Sequence, residues 1–154
     1  MLFALSWRLL ALAVLGYHGQ VSTASSLPES ERCVTAAYTA LNYLSFAEVP
    51  ELGYWETRCR NALKVTSIYA ASETYCRGKD LAAGLHQLET SCREFAHADL
   101  LSREEVAENL TEDAVRRMRK VNYLEVSRAE FLNEPVLISQ SYYDIVLRTI
   151  VSET

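Results

Sequence analysis

Apolar residues along this chain recur mainly at the three- and four-residue spacing of amphipathic helices. The clearest series steps by four, three, four and three residues and consists of Leu81, Leu85, Leu88, Cys92 and Phe95. Such a period places its members on one face of a helix. A similar stripe over residues 31–46 contains Cys33, Ala37, Ala40, Leu41 and Leu44, and another near the C-terminus contains Tyr143, Val146, Leu147, Ile150 and Val151. The pattern predicts a mainly α-helical fold.

Turn and capping residues divide the middle of the chain. Pro50 and Gly53 predict a break, followed by a helix over residues 54–65. Thr66 or Ser67 can cap a third helix over residues 68–76, and Gly78 interrupts the pattern before the clearest stripe.

Three further caps are predicted downstream. Ser102 and Glu105 have the spacing of a capping box, and Thr111 has the side chain of an N-cap. Ser139 or Ser141 can start the last helix. Residues 121–126 and 136–138 are short and partly β-branched, which predicts a minor two-stranded ribbon. Pro135 argues against a central strand there.

The first 24 residues have the features of a secretory signal peptide. Arg8 gives a positive start, an apolar run follows over residues 9–15, and small residues at Ser22 and Ala24 suit cleavage after Ala24. We therefore expect a signal peptide over residues 1–24, a polar arm over residues 25–32 and a helical domain over residues 33–154. No later apolar run reaches the length of a membrane-spanning helix.

Charge argues against one class of partner. All 20 acidic residues and 14 of the 15 basic residues follow residue 24, which gives the mature chain a net charge of −6. A nucleic-acid-binding surface needs a basic face, so we expect no nucleic-acid partner.

The four cysteines are consistent with export. Cys33, Cys59, Cys76 and Cys92 all follow the signal peptide, and none belongs to a C-x-x-C pair. In an oxidising compartment four cysteines most simply form two disulfides, with three possible pairings. We predict a disulfide-stabilised domain in the secretory pathway, at the cell surface or outside the cell.

Candidate catalytic and metal-binding groups are few. His86 and His97 have no second ligand at helical spacing, so we interpret them as ordinary surface or half-buried histidines rather than metal ligands. The acidic pairs 104–105 and 112–113 fall in first turns of helices, where carboxylates stabilise the helix dipole. The basic run over residues 116–120 is typical of a solvated helix end. We expect no catalytic, cofactor or metal site.

Tyrosines allow two interpretations. Most lie in the N-terminal half of the chain, and they could line a ligand cleft or pack between helices. We favour core packing for Tyr38, Tyr43, Tyr54, Tyr69 and Tyr75.

One modification site is specific. Asn109, Leu110 and Thr111 form an N-glycosylation sequon at a predicted helix boundary, so we expect Asn109 to be glycosylated in the secretory pathway.

Short motifs follow one another in a fixed order along the chain. They are Ser67-Ile68-Tyr69, Tyr75-Cys76, Leu81-Ala82-Ala83-Gly84, Cys92, Asn109-Leu110-Thr111-Glu112-Asp113, Val121-Asn122-Tyr123, Pro135-Val136-Leu137-Ile138-Ser139, Tyr142-Tyr143 and Arg148-Thr149. This ordered series resembles the extracellular N-terminal region of fungal ferric reductase transmembrane components, which are metalloreductases related to NADPH oxidases. The match extends from about Cys33 to Thr149.

The resemblance implies a role without chemistry of its own. The family's enzymes reduce ferric or cupric ions before uptake, passing electrons from NADPH to FAD and then to haems held by histidine pairs on membrane helices. The region resembled here precedes the first membrane helix, so none of the family's haem, FAD or NADPH residues can be assigned to this chain. The implied function is that of a non-catalytic extracellular domain in iron or copper acquisition and metal-ion transport, and the implied partner is the membrane domain of a ferric reductase.

The sequence departs from the family pattern at two positions. Cysteines commonly occupy the positions of Ala37 and Ala71, and their joint loss suggests that the two were partners.

A stand-alone secreted binding protein that retains the fold and acts at the cell surface is the alternative function, and an independent enzyme is a third hypothesis that no convergent set of residues supports.

Overall fold

The structure is a computed structural model that describes residues 26–47, 53–126 and 130–152. The predicted signal peptide, its cleavage site and Pro50 lie outside the described residues. The arm predicted over residues 25–32 is described from Ser26, and its end forms a 3-10 turn over Glu29–Glu31.

The described residues form a mainly helical domain, as the sequence predicted. Its six α-helices are α1 (Arg32–Leu41), α2 (Tyr54–Arg60), α3 (Ala62–Tyr75), α4 (Gly78–Ser91), α5 (Glu112–Arg117) and α6 (Gln140–Ser152). A π-helix over Cys92–Ala96 continues α4.

Helix α1 lies at the centre of the domain and packs against α3, α4 and α6. Its apolar stripe is buried because three helices cover it from different sides. Leu41, Ile68, Leu88 and Tyr142 show how α1, α3, α4 and α6 each contribute a side chain that is almost completely enclosed. The helix ends at Leu41 rather than near residue 46, and Ser45–Phe46 instead form the short strand β1.

The prediction of one continuous helix over residues 54–65 is wrong, because Asn61 separates α2 from α3. The Asn61 backbone is extended (φ −74°, ψ 113°), and its side-chain oxygen accepts a hydrogen bond from the Lys64 backbone N–H. Asn61 is therefore the N-cap of α3. Thr66 and Ser67 do not cap a helix, because both are buried in the interior of α3.

The clearest amphipathic stripe is confirmed except at its last member. Gly78 begins α4 with a positive φ of 51°, which a residue without Cβ adopts without strain. Leu88 and Cys92 are buried, but Phe95 is 49% exposed. The wider turn of the π-helix shifts the helical register after Cys92, so Phe95 no longer points into the core.

The predicted caps form, although one of them starts no regular helix. The Ser102 and Glu105 side chains make both reciprocal bonds of a capping box, but the chain continues as turns to a 3-10 segment at Ala107–Asn109. Thr111 caps α5 by accepting from the Ala114 N–H. Ser139, rather than Ser141, caps α6 by accepting from the Tyr142 N–H.

Two minor ribbons join distant parts of the chain, and both are parallel. The strand β2 (Arg119–Val121) pairs with β4 (Val136–Ile138), and β1 pairs with β3 (Phe131–Leu132). The predicted two-stranded ribbon is therefore confirmed, but its first strand is Arg119–Val121 rather than residues 121–126. Residues 123–125 form a 3-10 turn instead. The Val136 N–H donates to the buried Ser67 hydroxyl, which ties β4 to α3.

Candidate functional site

Both predicted disulfides form, and the structure identifies their pairing. Cys33 bonds to Cys76 and Cys59 bonds to Cys92, each with Cα atoms 5.8 Å apart. The first bridge joins the start of α1 to the C-cap of α3, and the second joins α2 to the π-helix. Together they connect the four helical segments of the N-terminal half, and they are compatible with the predicted oxidising compartment.

Two tyrosines enclose the first disulfide. The Tyr143 hydroxyl lies 2.9 Å from Cys33 Sγ, and its ring stacks on Tyr75 with centroids 4.6 Å apart. The Tyr75 hydroxyl donates to the Ile138 carbonyl at 2.5 Å. Burial raises the pKa of both tyrosines, so their hydroxyls stay protonated at physiological pH. This cluster ties α6 and β4 to the disulfide.

The remaining predicted tyrosines divide between the two interpretations. Tyr38 and Tyr69 are buried, and the Tyr69 hydroxyl donates to the Leu101 carbonyl at 3.1 Å. Burial, together with nearby carboxylates, raises the pKa of Tyr69 to about 12. Core packing is thus confirmed for these two and for the half-buried Tyr75. It is wrong for Tyr43 and Tyr54, which are 45% and 58% exposed.

The sequon lies at the surface, where the sequence placed it. Asn109 is exposed at the end of its 3-10 turn, whereas Leu110 is buried and Thr111 caps α5. The Asn109 side chain is therefore accessible, although the tripeptide that carries it is built into the fold.

The side chains considered above for catalysis or metal binding are exposed at the surface. The His86 side chain is 77% exposed and lies 4.0 Å from Glu89, and His97 is exposed at the left-handed residue after the π-helix. Within the described parts of the chain, no group of three His, Cys, Asp or Glu residues is placed to hold a metal ion. The acidic pairs and the basic run over residues 116–120 are exposed apart from Met118.

A groove of about 630 Å³ lies between α1, α6 and the 3-10 turn over Tyr123–Glu125. Its walls are mainly apolar and include Tyr43, Leu124, Ile145 and Ile150. Leu124 is 92% exposed at the rim, which is unusual for a leucine in a folded domain. The sequence did not predict this groove, because its lining residues come from three separate segments of the chain, 39–43, 123–126 and 142–150.

A second unpredicted feature is an arginine in an aromatic environment. The Arg58 guanidinium carbon lies 4.7 Å, 5.0 Å and 4.5 Å from the ring centroids of Tyr38, Tyr54 and Trp55. Arg58 also donates to the Tyr54 hydroxyl at 2.6 Å. Trp55 in turn stacks on Phe95, with centroids 4.7 Å apart, so the π-helix contributes to the same aromatic cluster.

Comparison with known proteins adds no relative. The chain matched no protein-family model, no curated protein and no solved structure. Across the described segments, no helix is both long enough and apolar enough to span a membrane.

Proposed function

We propose that this chain is a non-catalytic extracellular domain of a fungal ferric or cupric reductase, acting in iron or copper acquisition. The observation that carries the proposal is the pair of disulfides formed by Cys33, Cys59, Cys76 and Cys92. Such bridges persist in oxidising compartments, where the extracellular part of a surface reductase folds. The ordered motifs that resemble the family supply the choice of reductase.

The groove suggests how such a domain contacts its partner. Its α6 wall includes Ile145, Val146 and Ile150, and in the family architecture the first membrane helix follows the region that α6 occupies. The α6 wall therefore lies close in sequence to the expected first membrane helix, and the exposed Tyr123 and Leu124 extend the apolar surface at the rim of the same groove. On this proposal the groove packs against that domain, and the ectodomain covers its outer side.

Intact mass spectrometry of the chain secreted from a fungal host tests the compartment. We expect a mass that begins at Ser25, no free thiols and a mass decrease when a glycosidase removes the glycan on Asn109. A full-length mass with free cysteines would mean that the chain does not enter the secretory pathway, and the ectodomain proposal would fail.

The alternative is a stand-alone secreted binding protein. The groove favours it, because about 630 Å³ lies within the range of small-molecule sites. The genomic sequence downstream of Thr154 separates the two functions. An open frame that encodes hydrophobic helices with paired histidines supports the reductase domain, whereas a stop codon combined with secretion supports the stand-alone protein.

A further inference from the structure

A small cleft lies beside the sequon. It has a volume of about 230 Å³, and Asn109 lines it together with residues from α5, from the position after α5 and from the segment that leads into β4. Some of these residues are half-buried with little polar surface and the others are exposed and charged: Ala114, Met118 and Pro135 in the first group, and Arg117 and Glu134 in the second. The cleft therefore offers both apolar surface and hydrogen-bonding groups next to the asparagine of the sequon.

The backbone around Asn109 is held in place on both sides. The Asn109 N–H donates to the Val106 carbonyl at 3.1 Å, and the Leu110 N–H donates to the Ala107 carbonyl at 3.0 Å. Leu110 is buried, and the next residue, Thr111, caps α5. The point at which a glycan leaves the chain is therefore fixed relative to the cleft.

The size of the cleft favours a covalently attached ligand over a free one. Sites for free small molecules have volumes of about 300–1,000 Å³, and this cleft is smaller. A free ligand makes few contacts in so small a site, and these do not compensate its loss of translational and rotational freedom. A sugar joined to Asn109 has already lost most of that freedom, and its short link gives it an effective concentration of the order of millimolar. Weak contacts are then enough to hold it.

The chemistry of the cleft suits the first sugar of an N-glycan. N-acetylglucosamine, which is joined directly to asparagine, has C–H groups and an acetyl methyl group as well as hydroxyls and an amide. The apolar groups can pack against Ala114, Met118 and Pro135, which removes apolar surface from water. The Arg117 guanidinium can donate hydrogen bonds to the sugar oxygens, and the Glu134 carboxylate can accept them from the hydroxyls.

We propose that the first N-acetylglucosamine of a glycan on Asn109 packs in this cleft and joins α5 to the segment before β4. The sugar then stabilises the folded domain, because the contacts between these two segments exist only in the folded state. The inference rests on the secretory route of the proposed function, since only a chain that enters that pathway receives the glycan, but it does not rest on the reductase role.

Thermal unfolding of three forms of the secreted chain tests the inference. One form keeps the whole glycan, a second is trimmed by an endoglycosidase to a single N-acetylglucosamine, and a third is stripped by an amidase that leaves aspartate at position 109. We expect the first two to melt at the same temperature and the stripped form to melt roughly 2–5 °C lower. Asn109→Gln carries no glycan and adds no charge, so it should melt with the stripped form.

Substitutions in the cleft should reduce the difference in melting temperature between the trimmed and stripped forms. Arg117→Ala removes one side of the cleft and should reduce that difference roughly twofold or more, and Ala114→Leu, which fills the cleft, should abolish it. Arg116→Ala is the matched control, because Arg116 is the adjacent exposed arginine of α5 but does not line the cleft. A substitution that only weakens the fold lowers both melting temperatures and leaves their difference unchanged.

Three results would overturn the inference. The first is a trimmed and a stripped protein that melt at the same temperature, and the second is a difference that persists unchanged in both Arg117→Ala and Ala114→Leu. The third is a secreted, disulfide-bonded chain whose intact mass shows no glycan on Asn109. None of these contradicts the proposed function, which fails instead on a full-length chain with free thiols.

Discussion

Gly84 of α4 contacts Val34 of α1 so closely that a Cβ atom at Gly84 would lie 2.5 Å from the Val34 Cβ. Real Cβ atoms do not approach to that distance, so the absence of a side chain at Gly84 determines how near the two helices lie. Val34 is completely buried and cannot move aside into solvent. The close packing of α1, the central helix of the domain, against α4 therefore requires glycine at position 84.

Replacing Gly84 with alanine should destabilise the protein. Alanine favours a helix by about 1 kcal/mol over glycine, but overpacking a core costs about 1–3 kcal/mol. Because the added methyl group meets a Cβ atom attached to the backbone, we expect the clash to dominate and the free energy of unfolding to fall by about 1–2 kcal/mol in urea denaturation. His86→Ala, two residues further along an exposed face, is the control and should have little effect. A stabilised Gly84→Ala protein would show that α1 and α4 can separate freely.

A third disulfide should form when Ala37 and Ala71 are both replaced by cysteine. Both alanines are completely buried on α1 and α3, which are already joined by Cys33–Cys76. Ala37 lies one turn after Cys33 on α1, and Ala71 lies five residues before Cys76 on α3. The two alanines are therefore at similar distances along their helices from the Cys33–Cys76 disulfide. We expect an intact mass 6 Da below that of the reduced variant and no reactive thiols. Two free thiols in the folded double variant would contradict the partnership inferred from the family pattern.

Thr111 has two roles that substitutions can separate. Its hydroxyl caps α5, and it completes the sequon of Asn109. Thr111→Asp should abolish glycosylation and retain the cap, whereas Thr111→Ala should abolish both and reduce stability by about 1 kcal/mol. Glycosidase-sensitive mass and urea denaturation of the deglycosylated proteins measure the two effects. Asn109→Gln is the control that removes only the glycan. Equal stability of the Asp and Ala variants would show that the cap contributes nothing.

Stability should rise between pH 8 and pH 10 because of Lys64. Burial and Arg58 lower the folded-state pKa of this lysine to about 8, while the unfolded chain has the ordinary value near 10.4. Between these values the unfolded state binds the additional proton, so deprotonation favours the folded state, by about 2 kcal/mol at pH 10 relative to pH 8. The folded-state pKa values of Tyr69 and Tyr142 are raised to about 12, while the unfolded value is near 10, so their opposite effect begins as the pH approaches 10. This effect is common to the wild type and to a Lys64→Met variant, so the difference between the two profiles reports Lys64 alone.

Urea denaturation in chloride buffers from pH 7 to pH 10 measures this contribution. The Lys64→Met variant has no group to titrate at this position and should lack the rise. Identical pH profiles for the two proteins would mean that the ammonium is solvated in the folded state.

The sequence predicted helices best where one apolar stripe faced one neighbour. The stripes of α4 and α6 were recognisable because a single face of each helix is buried. Helix α3 was harder, since it is buried on nearly all sides and carries Lys64, Ser67 and Ser72 inside. A helix of that kind has no apolar periodicity, so its start at Asn61 could be found only from the capping side chain.

The strand pairings show a different limit. Ser45 pairs with Phe131, and neither local sequence indicates the other. Two-residue strands have too short a pattern to show alternation, so their pairing results from the packing of the helices that carry them. The burial of Arg58 is a comparable case, because arginine is rarely buried and nothing in the local sequence indicates it. The rings of Tyr38, Tyr54 and Trp55 that surround its guanidinium come together only in the folded structure.

The contact between α1 and α6 has a consequence for biosynthesis. The Tyr142 hydroxyl donates to the Ala40 carbonyl at 2.9 Å, which closes the core between helices that lie about 100 residues apart. At about 5–20 residues per second, a ribosome takes roughly 5–20 s to make the intervening chain. All four cysteines precede Asp99 and are therefore synthesised before α6. On the proposed secretory route, a disulfide that forms during synthesis would form on a chain in which α6 does not yet cover α1.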